Sequence, residues 1–364
     1  MYIKRVSVVN FRNYLEESAR FSEKLNMIIG ENAQGKTNLL ESIYFTSFGK
    51  SFRSSRDRDM IKIGEDFCRV SADYVKDDDE LKVDVALSKE GKKAAKIDGR
   101  KVDKVSELIS GFYVVVFSPE DLKIVKEEPE KRRNFIDREI CQLSFSYYNS
   151  LRDYKKILHQ RNTYLKEQNM NESLLEIWDE NLANEGSKII SKRKKFINDL
   201  SGISEQIHSG ITNGKEISHI EYDPSIKYVE NPEEQKKEFL RVLKEYRSKD
   251  LEYGNTYKGP HKDDIDIKID GRSTRRFGSQ GQQRTVALSM KLAEIELIKE
   301  EKGEYPIMLL DDVFSELDEE RQKYLLKYLD RMQVIITAAE RLDELIEVFP
   351  DSNIININNG KILL

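Results

Sequence analysis

The sequence has few of the residues on which disulfide frameworks, metal centres and histidine-based catalysis depend. Its 364 residues include two cysteines and four histidines. Cys68 and Cys141 lie far apart, without CxxC or Cys/His spacing, which suits a reducing cytosol and gives no sign of a metal site. Four histidines offer few candidates for zinc ligands or for a histidine-based catalytic triad, so the sequence does not favour either class of enzyme. We therefore expect a cytoplasmic protein.

Long apolar stretches are also missing. No run approaches the roughly 20 residues that span a bilayer, and Lys4, Arg5 and Arg12 stand where a signal peptide would be apolar. We expect no membrane-spanning segment and no secretory leader. The formal net charge of -5 excludes a uniformly basic surface. A local cationic patch can still bind phosphates, because that affinity depends on nearby charges rather than on the total.

The chain does have enough residues for about two domains, in three stretches of different character. Residues 1–110 show strand-like alternation, with a hairpin signal at Asp98-Gly99. Residues 120–250 are highly charged and follow a helical period, and we predict two long helices joined near residues 169–171. Strand and helix patterns then return. The sequence thus predicts an α/β fold in which both chain ends, 1–118 and 251–364, form one domain and a mainly helical domain, 119–250, is inserted.

The strongest motif is a phosphate-binding loop. Gly30–Thr37 matches G-x-x-x-x-G-K-[ST], between an apolar strand and a helical pattern. Chance alone produces this match in roughly one chain in a hundred of this length. Glycines let the backbone approach phosphate oxygens. We predict that Lys36 neutralises the β- and γ-phosphates and that Thr37 ligates Mg²⁺. The alternative is an accidental strand-to-helix turn.

Two acids far downstream form a second candidate element. The apolar run Ile307–Leu310 leads into Asp311 and Asp312, and a carboxylate at the end of a buried strand is costly unless it meets a cation or donors. We predict that Asp311 lies on the metal side of the nucleotide site and that Asp312 polarises the attacking water. The alternative is a helix N-terminus leading into Ser315–Asp318.

A third motif carries a family resemblance. Ser279–Arg284, S-Q-G-Q-Q-R, lies between the loop and the acids and resembles the signature motif of ABC-type ATPases. With the loop, the acidic strand and Ser315–Asp318 in this order, the chain resembles the SMC/RecF branch of that superfamily. It is most similar to the RecF family, essentially over its whole length, through the segments Asn10–Tyr14, Phe117–Leu122, Arg132–Asp137 and Gly259–His261.

The resemblance implies an ABC-type P-loop ATPase that uses ATP and Mg²⁺ and forms an ATP-dependent homodimer, with the signature of one protomer facing the phosphate loop of the other. The resemblance also implies roles for individual residues of this chain. The catalytic candidates are Lys36, Asp311, Asp312 and Ser279, and the metal candidates are Thr37 and Asp311. The nucleotide-binding candidates are Arg12, Gly30, Glu31, Asn32, Ala33, Gln34, Gly35, Lys36, Thr37, Asn38, Ser279, Gln280, Gly281, Gln282 and Asp318.

Some positions depart from the wider ABC pattern. Asp312 stands where glutamate is usual, Thr337 stands where a switch histidine is usual, and Ser118 stands where glutamine is familiar. These departures favour a weak ATPase acting as a molecular switch over a fast hydrolytic cycle.

The resemblance further implies a recombination mediator with DNA, RecR and RecO as partners, in RecA loading, gap repair, replication restart and SOS induction. No base-reading motif is present, so we expect binding to single- and double-stranded DNA at gaps or junctions. The candidate cationic clusters are Arg53/Arg56/Arg58, Lys92-Lys93, Arg132-Arg133, Lys192-Arg193-Lys194-Lys195 and Arg272/Arg275/Arg276. The alternative is a P-loop kinase or other metabolic ATPase, against which the Ser279–Arg284 motif argues.

Overall fold

The computed structural model describes residues 1–54, 56–102, 106–109, 111–167 and 171–363. The strands over these residues are β1 (Tyr2–Val9), β2 (Glu16–Arg20), β3 (Leu25–Ile29), β4 (Phe67–Lys76), β5 (Asp79–Ser88), β6 (Lys93–Ile97), β7 (Arg100–Val102), β8 (Val114–Phe117), β9 (Ser218–Asp223), β10 (Asp264–Ile269), β11 (Arg272–Ser273), β12 (Ile307–Asp311), β13 (Val334–Ala338), β14 (Asn353–Asn358) and β15 (Lys361–Leu363). The helices are α1 (Lys36–Phe48), α2 (Ser106–Ile109), α3 (Pro129–Leu143), α4 (Phe145–Tyr164), α5 (Glu172–Ile211), α6 (Pro232–Tyr253), α7 (Thr274–Phe277), α8 (Gln280–Lys302), α9 (Glu319–Leu329) and α10 (Asp343–Val348). Among the described residues, no helix combines the length and apolar character needed to cross a membrane.

These elements group into two compact units, Met1–Leu122 with Glu294–Leu364, and Lys123–Ala293. The first unit contains a sheet of order β15-β14-β3-β13-β12-β8, parallel except for the β14–β15 pair. Every residue of β8, β12 and β13 is buried, as expected for apolar strands covered on both faces. Because parallel strands end at one edge, the loop after β3 and Asp311 at the end of β12 are separated only by β13.

The other sheet of this unit is antiparallel, in the order β2-β1-β4-β5-β6-β7. Its strands alternate between buried residues such as Val6 and Val70 and charged residues that face solvent. The predicted hairpin at Asp98-Gly99 is confirmed, since both residues have positive φ (49° and 75°) between β6 and β7, typical of a type I′ turn. α1 packs against both sheets, so its buried residues surround the helix rather than form one stripe.

The second unit is built on a helical hairpin and a small sheet. α4 packs along the 40-residue α5, which confirms the two predicted long helices. Of their predicted joint, residues 168–170 lie outside the described residues, and the Asn171 side chain caps α5. α6 and β9 pack against α5, and β9 pairs with β10 in the sheet β11-β10-β9.

Buried arginines cross-link this unit. Arg193 on α5 is 2% exposed. It donates to Asp137 on α3 (2.7 Å) and to Asp263 before β10 (2.9 Å). Two further buried arginines make similar pairs, Arg161 with Asp179 and Asp250, and Arg132 with Asp264. Since an unpaired buried charge is costly, these pairs fix how the helices and the sheet of the unit meet.

Gly259–His261 turns the chain into this network. Gly259 has φ 137°, and a Cβ there would lie 2.4 Å from the Tyr154 hydroxyl. The Nε2–H of His261 donates to the Thr256 carbonyl (2.9 Å), so Nδ1 of the neutral ring accepts from Tyr154 (2.8 Å). Burial, reinforced by nearby cationic side chains, lowers the pKa of His261 to about 4. His261 is therefore a neutral residue inside the unit near pH 7.

The boundaries of the units differ from the predicted domain boundaries of 118/119 and 250/251. The first falls after Leu122, but the second falls after Ala293, within α8. Residues 251–293 group with the insertion because β10 pairs with β9 and packs against α3. β9 itself lies in the stretch predicted to be helical. Its buried residues alternate with exposed ones, as in a strand. The alternating stretch is too short to be recognised among the helical patterns around it.

Candidate nucleotide site

The predicted phosphate loop connects β3 to α1. Ala33 (φ 65°) and Gly35 (φ 122°) take the left-handed conformations that curl its backbone. A Cβ on Gly30 would lie 2.4 Å from the carbonyl oxygen of Ile357 on β14, and one on Gly35 would lie 2.7 Å from the Asn13 side chain. Neighbours on either side of the loop thus leave no space for a side chain at either glycine. Helix α1 begins directly after the loop.

Lys36 lies inside this loop. Its ammonium donates to the carbonyls of Gly30 (2.8 Å) and Glu31 (3.1 Å), and the residue is only 4% exposed. Glu31, Asn32 and Ala33 are exposed at the loop tip. The arrangement encloses a cation in a ring of backbone, which is the electrostatic requirement for binding a phosphate chain.

The structure brings Thr37 and Asp311 together, although they are 274 residues apart in the sequence. Thr37 Oγ1 donates to Asp311 Oδ1 at 2.7 Å. Thr337 at the end of β13 donates to the same oxygen at 3.0 Å, and its Oγ1 accepts the Asp312 N–H at 2.9 Å. Burial raises the pKa of the Asp311 carboxyl, opposed by the hydroxyl donations.

This donor set fits Mg²⁺ with a nucleotide. A hydroxyl and a carboxylate oxygen are hard ligands, and Mg²⁺ in phosphate sites takes one or two protein ligands and completes its shell with phosphates and water. In the described part of the chain, no group of three or more His, Cys, Asp or Glu side chains is suited to holding a metal. The adjoining cationic loop supplies the place for the phosphates.

The loop is also held from outside, by residues that the sequence did not single out as site residues. Asn13 Nδ2 and the Gly360 N–H both donate to the Gln34 carbonyl at 2.9 Å. The Tyr14 hydroxyl donates to the Gly35 carbonyl at 2.9 Å. Asn13 and Tyr14 belong to the Asn10–Tyr14 segment of the family resemblance, so that motif was the available signal. Asn38 on α1 donates in turn to Asn13 Oδ1 (2.9 Å).

Arg12, predicted beside the nucleotide, points to α1. Its guanidinium forms a two-pronged pair with Glu41 (2.6 and 2.7 Å) and donates to the Asp59 carbonyl (2.6 Å). Glu41 is fully buried and Arg12 is 17% exposed in its side chain. Most of the charge of Arg12 is therefore already matched by Glu41, one helical turn beyond Thr37.

The signature residues belong to the second unit, whereas the loop and the acids belong to the first. Ser279 Oγ accepts the Gln282 N–H (3.2 Å), and the Gln282 side chain accepts the Ser279 N–H (2.9 Å). This reciprocal pair is a capping box at the start of α8. Gln282 also donates to Glu216 (3.0 Å). Ser279 and Gln280 are exposed and Gly281 partly so, which leaves the helix N-terminus facing outward.

Asp318 also caps a helix. Its carboxylate accepts the Arg321 N–H at the start of α9 (3.1 Å) and pairs with the Arg321 side chain. Asp312, by contrast, has φ 52°, an uncommon left-handed conformation for a residue other than glycine. Asp318 is therefore the cap of α9, whereas Asp311 ends β12 and Asp312 directly follows that strand.

Comparison with known proteins adds to this geometry. The chain matches the family model "RecF/RecN/SMC N terminal domain" over residues 2–355. It is 46% identical over 359 residues to the DNA replication and repair protein RecF of Clostridium novyi, covering 97% of this chain and 99% of that protein. It is 44% identical over 365 residues to the same-named protein of Clostridium botulinum, covering 100% and 99%. The chain belongs to the RecF family.

Solved structures agree with this assignment. The RecF-family chain superposes on the recombination mediator protein RecF-ATP in the RecFOR pathway with a TM-score of 0.92, 37% identity, and 100% and 97% coverage of the two chains. An Smc head domain from Pyrococcus furiosus gives a TM-score of 0.55 at 18% identity, with 100% and 96% coverage, a likeness of fold alone. The predicted α/β fold of the ABC-type ATPases and the predicted family of DNA replication and repair proteins are confirmed.

Proposed function

We propose that the chain binds ATP with Mg²⁺ and is an ATP-controlled, DNA-binding recombination mediator. The observation that carries the proposal is the meeting of Thr37 with Asp311 at 2.7 Å beside a loop curled around Lys36. The curated relatives are DNA replication and repair proteins, and the closely superposed RecF is described with ATP. Both facts support the same role here.

Each nucleotide-site residue has a place in this proposal. The backbone of Gly30–Gly35 and the start of α1 hold the phosphates, Lys36 neutralises them, and Thr37 with Asp311 ligates Mg²⁺. The metal, when bound, neutralises charge that develops on the phosphates. Asp312 orients water. A shorter acid at this position, and Thr337 where a histidine is usual, favour slow hydrolysis, so that the nucleotide acts as a timed switch.

The switch is proposed to act through a homodimer. The exposed N-terminus of α8, with Ser279, Gln280, Gly281 and Gln282, suits an anion supplied by a second copy, since a helix N-terminus attracts negative charge. Asp318, 57% exposed in its side chain, lies at the start of α9 and is proposed to connect the two sites. RecR and RecO are the partners proposed from family membership, with RecA loading, gap repair, replication restart and SOS induction as the context.

The predicted cationic clusters are not all available to DNA. Arg132 and Arg193 are buried in ion pairs. Lys93, 16% exposed in its side chain, pairs with Asp57. These three side chains are engaged within the fold, and the other members of the predicted clusters remain candidates for DNA contact.

The outer face of the antiparallel sheet is the surface we propose for DNA. Two cross-strand pairs on it join like charges, Arg5 opposite Arg20 and Lys96 opposite Lys101. Directly opposed like charges destabilise a sheet. Asp73 pairs with Arg5 at 2.7 Å and Asp84 lies opposite Lys96, yet cations still outnumber acids on this face, which favours the binding of a further anion. The exposed cations of this face are Arg5, Arg20, Arg69, Lys82, Lys96 and Lys101, against the acids Glu16, Asp73 and Asp84. Serines and alanines lie between them, so a phosphate backbone can approach closely.

The nucleotide switch is tested by light scattering with ATP, ADP or neither. Lys36→Met should abolish ATP-dependent dimerisation, whereas Lys89→Met, at an exposed lysine of the same unit, should not. Ser279→Ala should leave ATP binding nearly intact and weaken the dimer. Unchanged ATP-driven dimerisation in Lys36→Met would refute the proposal. Phosphoryl transfer to a small molecule at a rate indifferent to DNA would favour the metabolic-kinase alternative.

The DNA surface is tested by salt-dependent binding to gapped DNA in the presence of ATP. Lys96→Glu with Lys101→Glu should weaken binding and lower the salt slope by about one for each lost phosphate contact. Lys237→Glu with Lys244→Glu, on exposed positions of α6, makes the same charge change elsewhere. Equal losses in the two double variants would show a general charge effect and no particular role for the sheet.

A further inference from the structure

Thr337 occupies a central position at the edge of the parallel sheet. It lies on β13, and its register partners are Asp311 on β12 and Ile28 on β3, the strand that leads into the phosphate loop. The residue is 1% exposed. Its hydroxyl uses its donor on Asp311 Oδ1 (3.0 Å) and an acceptor site on the Asp312 N–H (2.9 Å). A single side chain therefore contacts both acids.

The two contacts control different properties of these acids. Asp311 Oδ1 is held by Thr37 at 2.7 Å and by Thr337 at 3.0 Å, so its carboxylate has little freedom to rotate. Asp312 has φ 52°, and its N–H in that unusual turn is satisfied by Thr337. Because threonine is branched at Cβ and stiff at χ1, the strand itself determines where the hydroxyl points.

We propose that Thr337 is a positioning residue for the nucleotide site, which sets the orientation of the Mg²⁺-side carboxylate and the turn that presents Asp312. The inference rests on the proposed function. The hydroxyl of Thr337 bonds to the two acids. Its effect on the reaction is therefore indirect, through the affinity of the site for the metal and the placement of Asp312.

Thr337→Val tests the proposal, because it keeps the shape of the side chain and removes the hydroxyl. Thr337→Ser keeps the hydroxyl. Thr46→Val is the matched control, since Thr46 on α1 is also buried and makes two hydrogen bonds, to the Ile43 carbonyl and the Tyr74 hydroxyl, both 2.7 Å. The readouts are binding of a fluorescent ADP at increasing Mg²⁺, binding of the same nucleotide without metal, and kcat and KM for ATP.

Thr337→Val should raise the Mg²⁺ concentration for half-maximal nucleotide binding about tenfold or more, as expected when a residue that orients a metal ligand is lost. Metal-free nucleotide binding should change less than about twofold, and kcat should fall more than KM changes. Thr337→Ser should restore the Mg²⁺ dependence, and Thr46→Val should leave it unchanged. A purely structural role would lower thermal stability in both valine variants without separating their Mg²⁺ dependence.

Equal Mg²⁺ dependence in Thr337→Val and Thr46→Val would overturn the inference while leaving ATP binding by the chain intact. Failure of Thr337→Ser to recover the wild-type dependence would also count against it, because the hydroxyl would then not be the active group. Absence of Mg²⁺-dependent nucleotide binding in the wild-type chain would overturn the proposed function itself and this inference with it.

Discussion

Replacement of Arg193 by methionine should destabilise the second unit strongly, although the sequence places this arginine in a run of basic residues. The guanidinium bonds to Asp137, Asp263, the Pro260 carbonyl (2.7 Å) and the Tyr147 hydroxyl (3.0 Å). Methionine keeps much of the volume but none of the donors. Two carboxylates, 11% and 1% exposed in their side chains, would lose their buried cation.

Breaking a buried pair by removing one partner costs about 3–5 kcal/mol. With a urea m-value of about 2 kcal/mol/M, that loss lowers the unfolding midpoint by about 1.5–2.5 M. The measurement is direct, because the only tryptophan of the chain, Trp178, lies in α5. Its fluorescence therefore reports on the unfolding of the unit that contains Arg193.

Arg241→Met is the matched control. Arg241 on α6 also bonds two carboxylates, Glu238 and Glu245, each at 2.8 Å, but its side chain is 60% exposed. Exposed pairs contribute at most about 1 kcal/mol, so its midpoint should fall by less than about 0.5 M. If the two variants shift by the same amount, burial does not set the strength of these pairs and the reasoning fails.

Three further outcomes are expected. First, the folded-state pKa of His261 is about 4, below the ordinary value near 6.5. The contribution of neutral His261 to the free energy of unfolding is therefore complete above about pH 6.5. It is lost as the pH falls toward 4, by up to about 3 kcal/mol. Urea unfolding between pH 7 and 4 should show this loss, and His261→Gln should flatten the slope. Second, Glu41→Gln should lower the free energy of unfolding by about 1.5–3 kcal/mol, because it removes the charged partner of Arg12. Thermal unfolding followed by circular dichroism measures the effect, with Glu245→Gln as the control. An unchanged melting temperature would contradict the buried pair. Third, Gly30→Ala should reduce binding of a fluorescent nucleotide at least tenfold, because its Cβ would lie 2.4 Å from a backbone oxygen of β14; wild-type binding would show that the loop tolerates this displacement.

Local patterns were predictable where the local sequence determines the conformation. The Asp98-Gly99 turn, the strand and helix on either side of Gly30–Thr37, and the buried strand that ends in Asp311 all formed as expected. The meeting of Thr37 with Asp311 agrees with the shared metal role predicted for both, and it arises because parallel strands end at one edge of the sheet. The roles of Ser279 and Asp318 between two protomers remain predictions, because the local geometry around each is that of a helix cap.

Buried charges were not predictable in this way. Arg132 and Arg193 looked like solvated cations because their carboxylate partners come from other elements, 132 residues away for Asp264 and 70 for Asp263. A charged residue in a sequence shows only that its burial would be unfavourable. The oppositely charged partners that make burial possible are brought to it by the tertiary structure. The same holds for β9, which becomes recognisable as a strand once β10 is beside it.

The placement of β3 between β13 and β14 has a consequence for how the chain folds as it is synthesised. Gln34 in the phosphate loop is bonded by Asn359, which is 325 residues away, so the loop emerges from the ribosome long before its neighbours. The second unit is one continuous segment, and all of its residues have been synthesised by residue 293, within α8. Because domains fold as units during synthesis and long-range pairings form slowly, the inserted unit is expected to fold first. A nascent chain would then carry a finished second unit but no closed loop, and it could not bind nucleotide until residues 334–360 had joined the sheet.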